Sequence, residues 1–218
     1  MRSLLLKDFY YLKKQLATLA IMVIAAIGFT FFLEQSSFAL TYMVIISSSI
    51  IISSISFDEV DNGYPAILAL PISKKKYVQS KYFASILVVL LILVIMGSIS
   101  IIADMSMSKE FILGSWLLRL SIAFSLFLII TAVSIPVMFK FGVENARVAI
   151  FISYVLLMAF FYGIYKLLES SIIIELPKLL EMVSNNFGLT ALIILGIGFV
   201  FYLISYFISL QVFENKEF

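Results

Sequence analysis

Two groups of residues in this chain have the type and spacing to do chemistry or to direct a partner. Ser49, Ser53 and Ser56 recur at i, i+4 and i+7, which puts three hydroxyls on one face of a helix. Such a stripe lines a polar path or a helix interface; equally, serines in apolar helices bond back to a carbonyl one turn earlier and serve close packing. The second group is the run Phe57–Tyr82, FDEVDNGYPAILALPISKKKYVQSKY. It gathers Asp58, Glu59 and Asp61, a break at Gly63 and Pro65, a short apolar stretch Ala66–Leu70, a stop at Pro71, and then Lys74, Lys75, Lys76 and Lys81. Histidine and cysteine are both absent. That removes disulfides, thiol nucleophiles, Cys/His zinc sites, haem ligation by His and imidazole acid–base devices together.

The elements that must position these residues are membrane elements. The chain has 218 residues, of which 63% are hydrophobic and 13% charged, with a mean hydropathy of +1.14. Soluble domains carry ~25% charged residues, so this is an all-α integral membrane protein. A net charge of +2 gives no reason to expect a nucleic-acid partner; the partner that composition demands is the lipid bilayer. At ~20 apolar residues per crossing, six transmembrane helices fit, over about 16–33, 38–57, 83–103, 116–139, 146–167 and 189–210. Residues 1–15 place Leu5, Phe9, Leu12 and Leu16 at helical spacing, largely apart from Arg2, Lys7, Lys13 and Lys14, which describes an N-terminal amphipathic helix in the membrane interface. No A-x-A pattern follows the first apolar stretch, so it reads as a retained span. The last connection, 168–188 and chiefly Ser170–Asn186, is too apolar for a free loop and too broken at Pro177 to cross, and is expected to form an outer interfacial or re-entrant hairpin.

Sidedness follows from the short connections. Arg2, Lys7, Lys13, Lys14, Lys74, Lys75, Lys76, Lys81, Lys140, Arg147 and Lys216 fall on one side, whereas Lys109, Arg119, Lys166 and Lys178 fall on the other. The inside-positive bias therefore places the N- and C-termini and the 57–82 loop in the cytoplasm. No expected span has Asp, Glu, Lys or Arg at its centre, and Asp104, Arg119, Lys166 and Glu169 lie near the outer ends. This argues against an intramembrane hydrolase and an ion-coupled carrier, both of which need ionisable groups converging at mid-depth. There is also no G-x-x-x-x-G-K-[ST] nucleotide loop.

The segment FDEVDNGYPAILALPISKKKYVQSKY after the second span, together with PVMFKFGVENAR (Pro136–Arg147) between the fourth and fifth, resembles the two cytoplasmic signatures of bacterial ABC transporter permeases of the type-2 exporter family, in a small six-span branch. The resemblance covers nearly the whole chain as a single transmembrane domain, 1–218. It implies that the chain is not an enzyme and holds no cofactor, ATP and Mg being bound by a separate ABC ATPase subunit. It also implies a second permease copy or a homologous permease around a shared path, in which Ser49, Ser53 and Ser56 would face the pathway or the interface. The ATPase would dock on a coupling helix in the 57–82 loop, carried by residue match to Asp58, Glu59, Tyr64, Ile67, Leu68 and Leu70. Physically, Asp58 can cap a helix start and Ile67, Leu68 and Leu70 form an apolar ridge for a partner groove. The lysines 74–76 read as topology determinants, and Lys140, Glu144 and Arg147 mark the second cytoplasmic loop.

The leading expectation is thus a multi-pass permease subunit in the bacterial cell membrane, moving an amphipathic or hydrophobic cargo outward. The alternative is a stand-alone polytopic scaffold or self-protection protein with no transport cycle, and an intramembrane enzyme comes a distant third. The sidedness is checked by reporters fused at Lys76, Val143 and Phe218, expected to read cytoplasm, and at Met107 and Met182, expected to read the outside. An outside signal at Lys76 would overturn the scheme.

Overall fold

The computed structural model describes residues 2–33, 36–59, 64, 73–107, 111–170 and 186–216, which include no strand. The helices are α1 (Arg2–Lys14), α2 (Leu16–Leu33), α3 (Ser36–Glu59), α4 (Lys74–Ser106), α5 (Leu113–Ser170) and α6 (Phe187–Glu214). Among the described residues four helices are long and apolar enough to cross a membrane: α3, α4, the first limb of α5 (Leu113–Gly142) and α6. α2 adds a shorter apolar stretch, Ala17–Phe32. The expected outer hairpin falls on 171–185, outside the described residues, as do Ile67, Leu68 and Leu70.

Two boundaries differ from the sequence expectation. The 57–82 run is not one loop: α3 continues through Glu59, and Lys74–Tyr82 already belong to α4, which a Ser73 side-chain cap on the Lys76 amide opens. Asp58 therefore lies in the last turn of a span helix and does not cap the start of another. At 33 residues, α4 is ~50 Å long against a hydrocarbon core of ~30 Å. Its first turns can hold lysines because they extend past the apolar layer. The second difference lies in Pro136–Arg147, where a loop is replaced by a kink at one residue. Gly142 takes φ +70° and ψ 176°, and helix resumes directly after it to give a second limb, 143–170. A glycine is favoured there because the backbone is left-handed, and the Glu59 carboxylate packs against the position a Cβ would take.

α1 lies against the bundle through Leu4 and Asp8, both buried, while Phe9 and Tyr10 are exposed. α5 and α6 pack closely where Gly198 meets Ser125, whose hydroxyl donates to the Ile194 carbonyl at 3.0 Å. Small residues at a crossing let backbones approach, which is how membrane helices gain contact when lipid removes the hydrophobic incentive. A hydroxyl network then ties α4, α5 and α6: the Tyr82 hydroxyl meets Ser205 Oγ and Ser209 Oγ at 2.6 and 2.7 Å. Ser205 donates to the Ala132 carbonyl at 2.6 Å, and the Tyr202 hydroxyl donates to the Tyr82 carbonyl at 2.7 Å. At the far end Arg119 pairs with Asp104 at 2.7 Å and the Trp116 indole N–H donates to Ser100 at 3.0 Å. Of the charges near the expected outer ends, Asp104 and Arg119 thus form a neutral pair.

Gly198→Leu is expected to lower the stability of the purified protein by ~1–3 kcal/mol through overpacking against Ser125. Gly196→Leu, at an exposed position with open space around its Cβ site, should leave the melting temperature in detergent unchanged.

Candidate functional site

The chemistry-bearing residues that the fold brings together are mostly not those that the sequence singled out. Within α3, Ser54 and Asp58 are one turn apart, and in α4 Tyr77 and Lys81 are likewise one turn apart, so each helix presents two polar groups on one face. α1 brings Lys7 and Asp8 against both. Lys81 is the centre of the resulting cluster, with its residue only 1% exposed. Its ammonium lies 2.6 Å from Asp8 Oδ1, 2.8 Å from Ser54 Oγ and 2.7 Å from Asp58 Oδ2. Three donors thus meet three oxygens, which is what a buried ammonium requires. Ser54 in turn donates to Asp8 Oδ1 at 3.0 Å, the Tyr77 hydroxyl donates to Asp58 Oδ2 at 2.8 Å, and Lys7 pairs with Asp58 Oδ1. Two lysines and two aspartates leave the cluster formally neutral.

An aromatic layer abuts this cluster. Tyr77 stacks on Phe213 of α6 with centroids 5.0 Å apart, Phe139 of α5 meets Phe213 at 4.9 Å, and Tyr64 meets both Phe213 and Tyr77 edge-on at 5.5 and 5.8 Å. Tyr64 is only 3% exposed. Burial first, then the nearby Glu59 and Asp58 carboxylates, push its hydroxyl well above the usual tyrosine range, so it stays protonated. Around this layer Lys74 Nζ donates to the carbonyls of Glu214 and Lys216 at 3.0 and 2.7 Å, and Lys216 lies 3.6 Å from Glu59 Oε1 and over the Tyr64 ring. The ends of α3, α4, the first limb of α5 and α6 are thus joined into one base, with α1 strapped across it.

Several expected site residues land elsewhere. Asp58 and Tyr64, expected on a docking surface, are buried, and Glu59, half-buried, is turned against Gly142 and Lys216. The Asp58 carboxylate is taken up by Lys7, Lys81 and Tyr77, neighbours that hydropathy could not reveal. Lys81, expected as a topology charge, is instead the most buried cation of the network. Lys140 is exposed beside the Phe141 ring, and the side chains of Glu144 and Arg147 lie outside the described residues. In the serine stripe, Ser49 is exposed and Ser53 and Ser56 half-buried; Ser49 and Ser53 line a groove of about 220 Å³ with Gln15, Thr18 and Met22. The neighbouring Ser47 and Ser48 bond back to the Val44 and Ile45 carbonyls at 2.6 Å, as packing serines do. The residues that sequence reasoning missed are Asp8, Ser54, Tyr77 and Lys81. The signal present for them was the i, i+4 pairing Ser54/Asp58 and Tyr77/Lys81, together with Asp8 as a lone acid in a basic helix.

A multi-pass all-helical membrane protein whose interfacial helix is ion-paired to the ends of its spans is the class that fold and site define. The chain belongs to the ABC-2 family: a family model described as "ABC-2 family transporter protein" matches residues 3–214, nearly its full length. No curated protein and no solved structure matches it.

Removing one member of a buried ion pair costs ~3–5 kcal/mol because its partner is left charged and unpaired. Lys81→Met is therefore expected to lower the thermal stability of the purified protein severely, and Lys81→Met with Asp8→Asn should recover much of the loss. Equal melting temperatures for Lys81→Met and the unaltered chain would show that the pair contributes nothing.

Proposed function

We propose that this ABC-2 family chain is the permease subunit of an ATP-driven exporter that moves an amphipathic or hydrophobic cargo outward. A separate ATPase subunit docks on the segment 60–73 between α3 and α4 and binds the ATP and Mg. The chain crosses the membrane six times with both termini in the cytoplasm, and two copies, or this chain with a homologous permease, surround the path, the Ser49/Ser53/Ser56 face of α3 among its lining.

The observation that carries this reading is the way the 60–73 segment is rooted. It leaves α3 one residue after Asp58–Glu59 and enters α4 a turn or two before Tyr77 and Lys81, so both roots belong to the same ion-paired base. Tyr64, midway, is pinned among Tyr77 and Phe213. A load applied to this segment by a partner passes at once to α1, α3, α4 and α6, which is what a coupling element must achieve. A stand-alone scaffold has no need of such a root. With Asp58, Glu59 and Tyr64 turned inward, the docking contacts fall to the apolar ridge Ile67, Leu68 and Leu70.

Removing a central apolar anchor from an interface costs ~2 kcal/mol or more of association energy. Ile67→Ser with Leu68→Ala is expected to leave membrane insertion near normal while sharply reducing co-purification of the ATPase and abolishing transport. Changing Lys74, Lys75 and Lys76 to Gln should affect docking far less, since each exposed lysine adds only ~1 kcal/mol through attraction to anionic headgroups. Loss of the ATPase in the lysine variant but not in the Ile67/Leu68 variant would make the contact electrostatic and overturn the assignment.

A further inference from the structure

Between α1 and the end of α3 lies a cavity of about 540 Å³, open to the outside, which neither the coupling segment nor the serine face uses. Its wall carries both signs of charge and two aromatic rings: Lys7 and Lys13, Asp8 and Asp58, Tyr10 and Phe57. Tyr10 and Phe57 are 68% and 60% exposed. Aromatic rings and lysines together at the ends of spans are the signature of the headgroup layer, where an apolar body and a polar tip are both accommodated.

The hydrogen bonding of the two carboxylates on the cavity wall is incomplete in one particular way. Asp58 is fully engaged, with Lys7 on one oxygen and Lys81 and Tyr77 on the other. Asp8, only 6% exposed, uses Oδ1 for both Lys81 and Ser54, while its Oδ2 is buried with no partner. An orphaned buried carboxylate oxygen costs several times what a typical hydrogen bond contributes, and it asks for a donor. Lys7 and Lys81 are matched by Asp58 and Asp8, which leaves Lys13, exposed at the cavity, to meet an anionic group. A ligand that fits carries a negatively charged group, a hydrogen-bond donor a few atoms away, and an apolar body that lies along exposed rings.

From this we infer that the α1/α3 cavity binds a phospholipid whose headgroup joins a phosphodiester to an N–H or O–H donor, as in phosphoethanolamine or phosphoglycerol lipids. The phosphate lies at Lys13 and beside Lys7, the donor satisfies Asp8 Oδ2, and the acyl chains run past Tyr10 and Phe57. A phosphocholine headgroup has the charge but no donor, because its nitrogen is quaternary. The bound headgroup would bridge α1 to α3 alongside the Lys81 cluster, making the seating of the interfacial helix sensitive to the surrounding lipid. This inference is independent of the proposed cargo, direction and ATPase.

The test uses the full chain in nanodiscs of phosphatidylcholine doped with equal small amounts of phosphatidylethanolamine or phosphatidylglycerol, with retained lipid counted by native mass spectrometry. A charge-assisted hydrogen bond gives a preference of roughly tenfold for either donor lipid over phosphatidylcholine. Asp8→Asn turns an amide N–H toward the donor position when its oxygen keeps Lys81, and should abolish that preference. Lys13→Gln, at an exposed position with no part in the buried cluster, should lower retention of every phospholipid and leave the donor preference intact. Equal retention of phosphatidylcholine by the unaltered chain would overturn the proposal, as would a donor preference that survives Asp8→Asn. Displacement of the lipid by soluble glycerol phosphate would also overturn it, by showing a site for the free headgroup chemistry alone.

Discussion

A lysine ammonium held away from water between two aspartates is the constraint on which the lysine-rich end of this molecule depends. Lys81 can be buried only because Asp8 arrives from α1 and Asp58 from α3, and each acid tolerates burial only because of the lysine. The arrangement is all-or-none in character. Moving α1 away would take Asp8 from Lys81 and Lys7 from Asp58, so the interfacial helix is fixed to the bundle by two ion pairs as well as by apolar contact. Polar ties at the other levels are hydroxyl bonds from Tyr82 and Tyr202 in the middle and, among the described residues, the Arg119–Asp104 pair at the far end.

This distribution gives the bundle a stiff base and a more adaptable body. At the base, rings from Tyr64, Tyr77, Phe139 and Phe213 fill the space that converging helix ends leave, and Lys74 and Lys216 close it from outside. Further along, α6 presents Leu192, Ile197, Phe201 and Ile204 outward and is little covered by the rest of the chain. The kink at Gly142 touches the same base through Glu59, so the break in α5 and the end of α3 are registered against each other.

The sequence by itself determined the class of molecule and much of its organisation. An apolar fraction this high with so few charges permits only membrane helices, because backbone amides in lipid must be satisfied within the segment. The helical interfacial segment at the N-terminus, the apolar stretches and the PVMFKFGVENAR and FDEVDNGYPAILALPISKKKYVQSKY segments were all legible, and with them the transporter family. These features are local, written in periodicity and contiguous motif, so no knowledge of distant contacts was needed.

What only the tertiary structure decided is which charges are solvent-facing and which are structural. Hydropathy treats Asp58, Lys81 and Lys74 alike, as polar residues that end a span. In the fold, Lys81 is paired with Asp58 across 23 positions of sequence and with Asp8 across 73, and Asp58 with Lys7 across 51, so helix continues through Asp58 and Lys81 and the connection between α3 and α4 is confined to 60–73. Gly142 likewise looked like part of a loop, and only the fold shows it as a single-residue kink with the Glu59 carboxylate packed against it. The physical reason is common to both. The cost of a buried charge or a left-handed residue depends on partners brought from elsewhere in the chain, and that sum is fixed only when the helices have met.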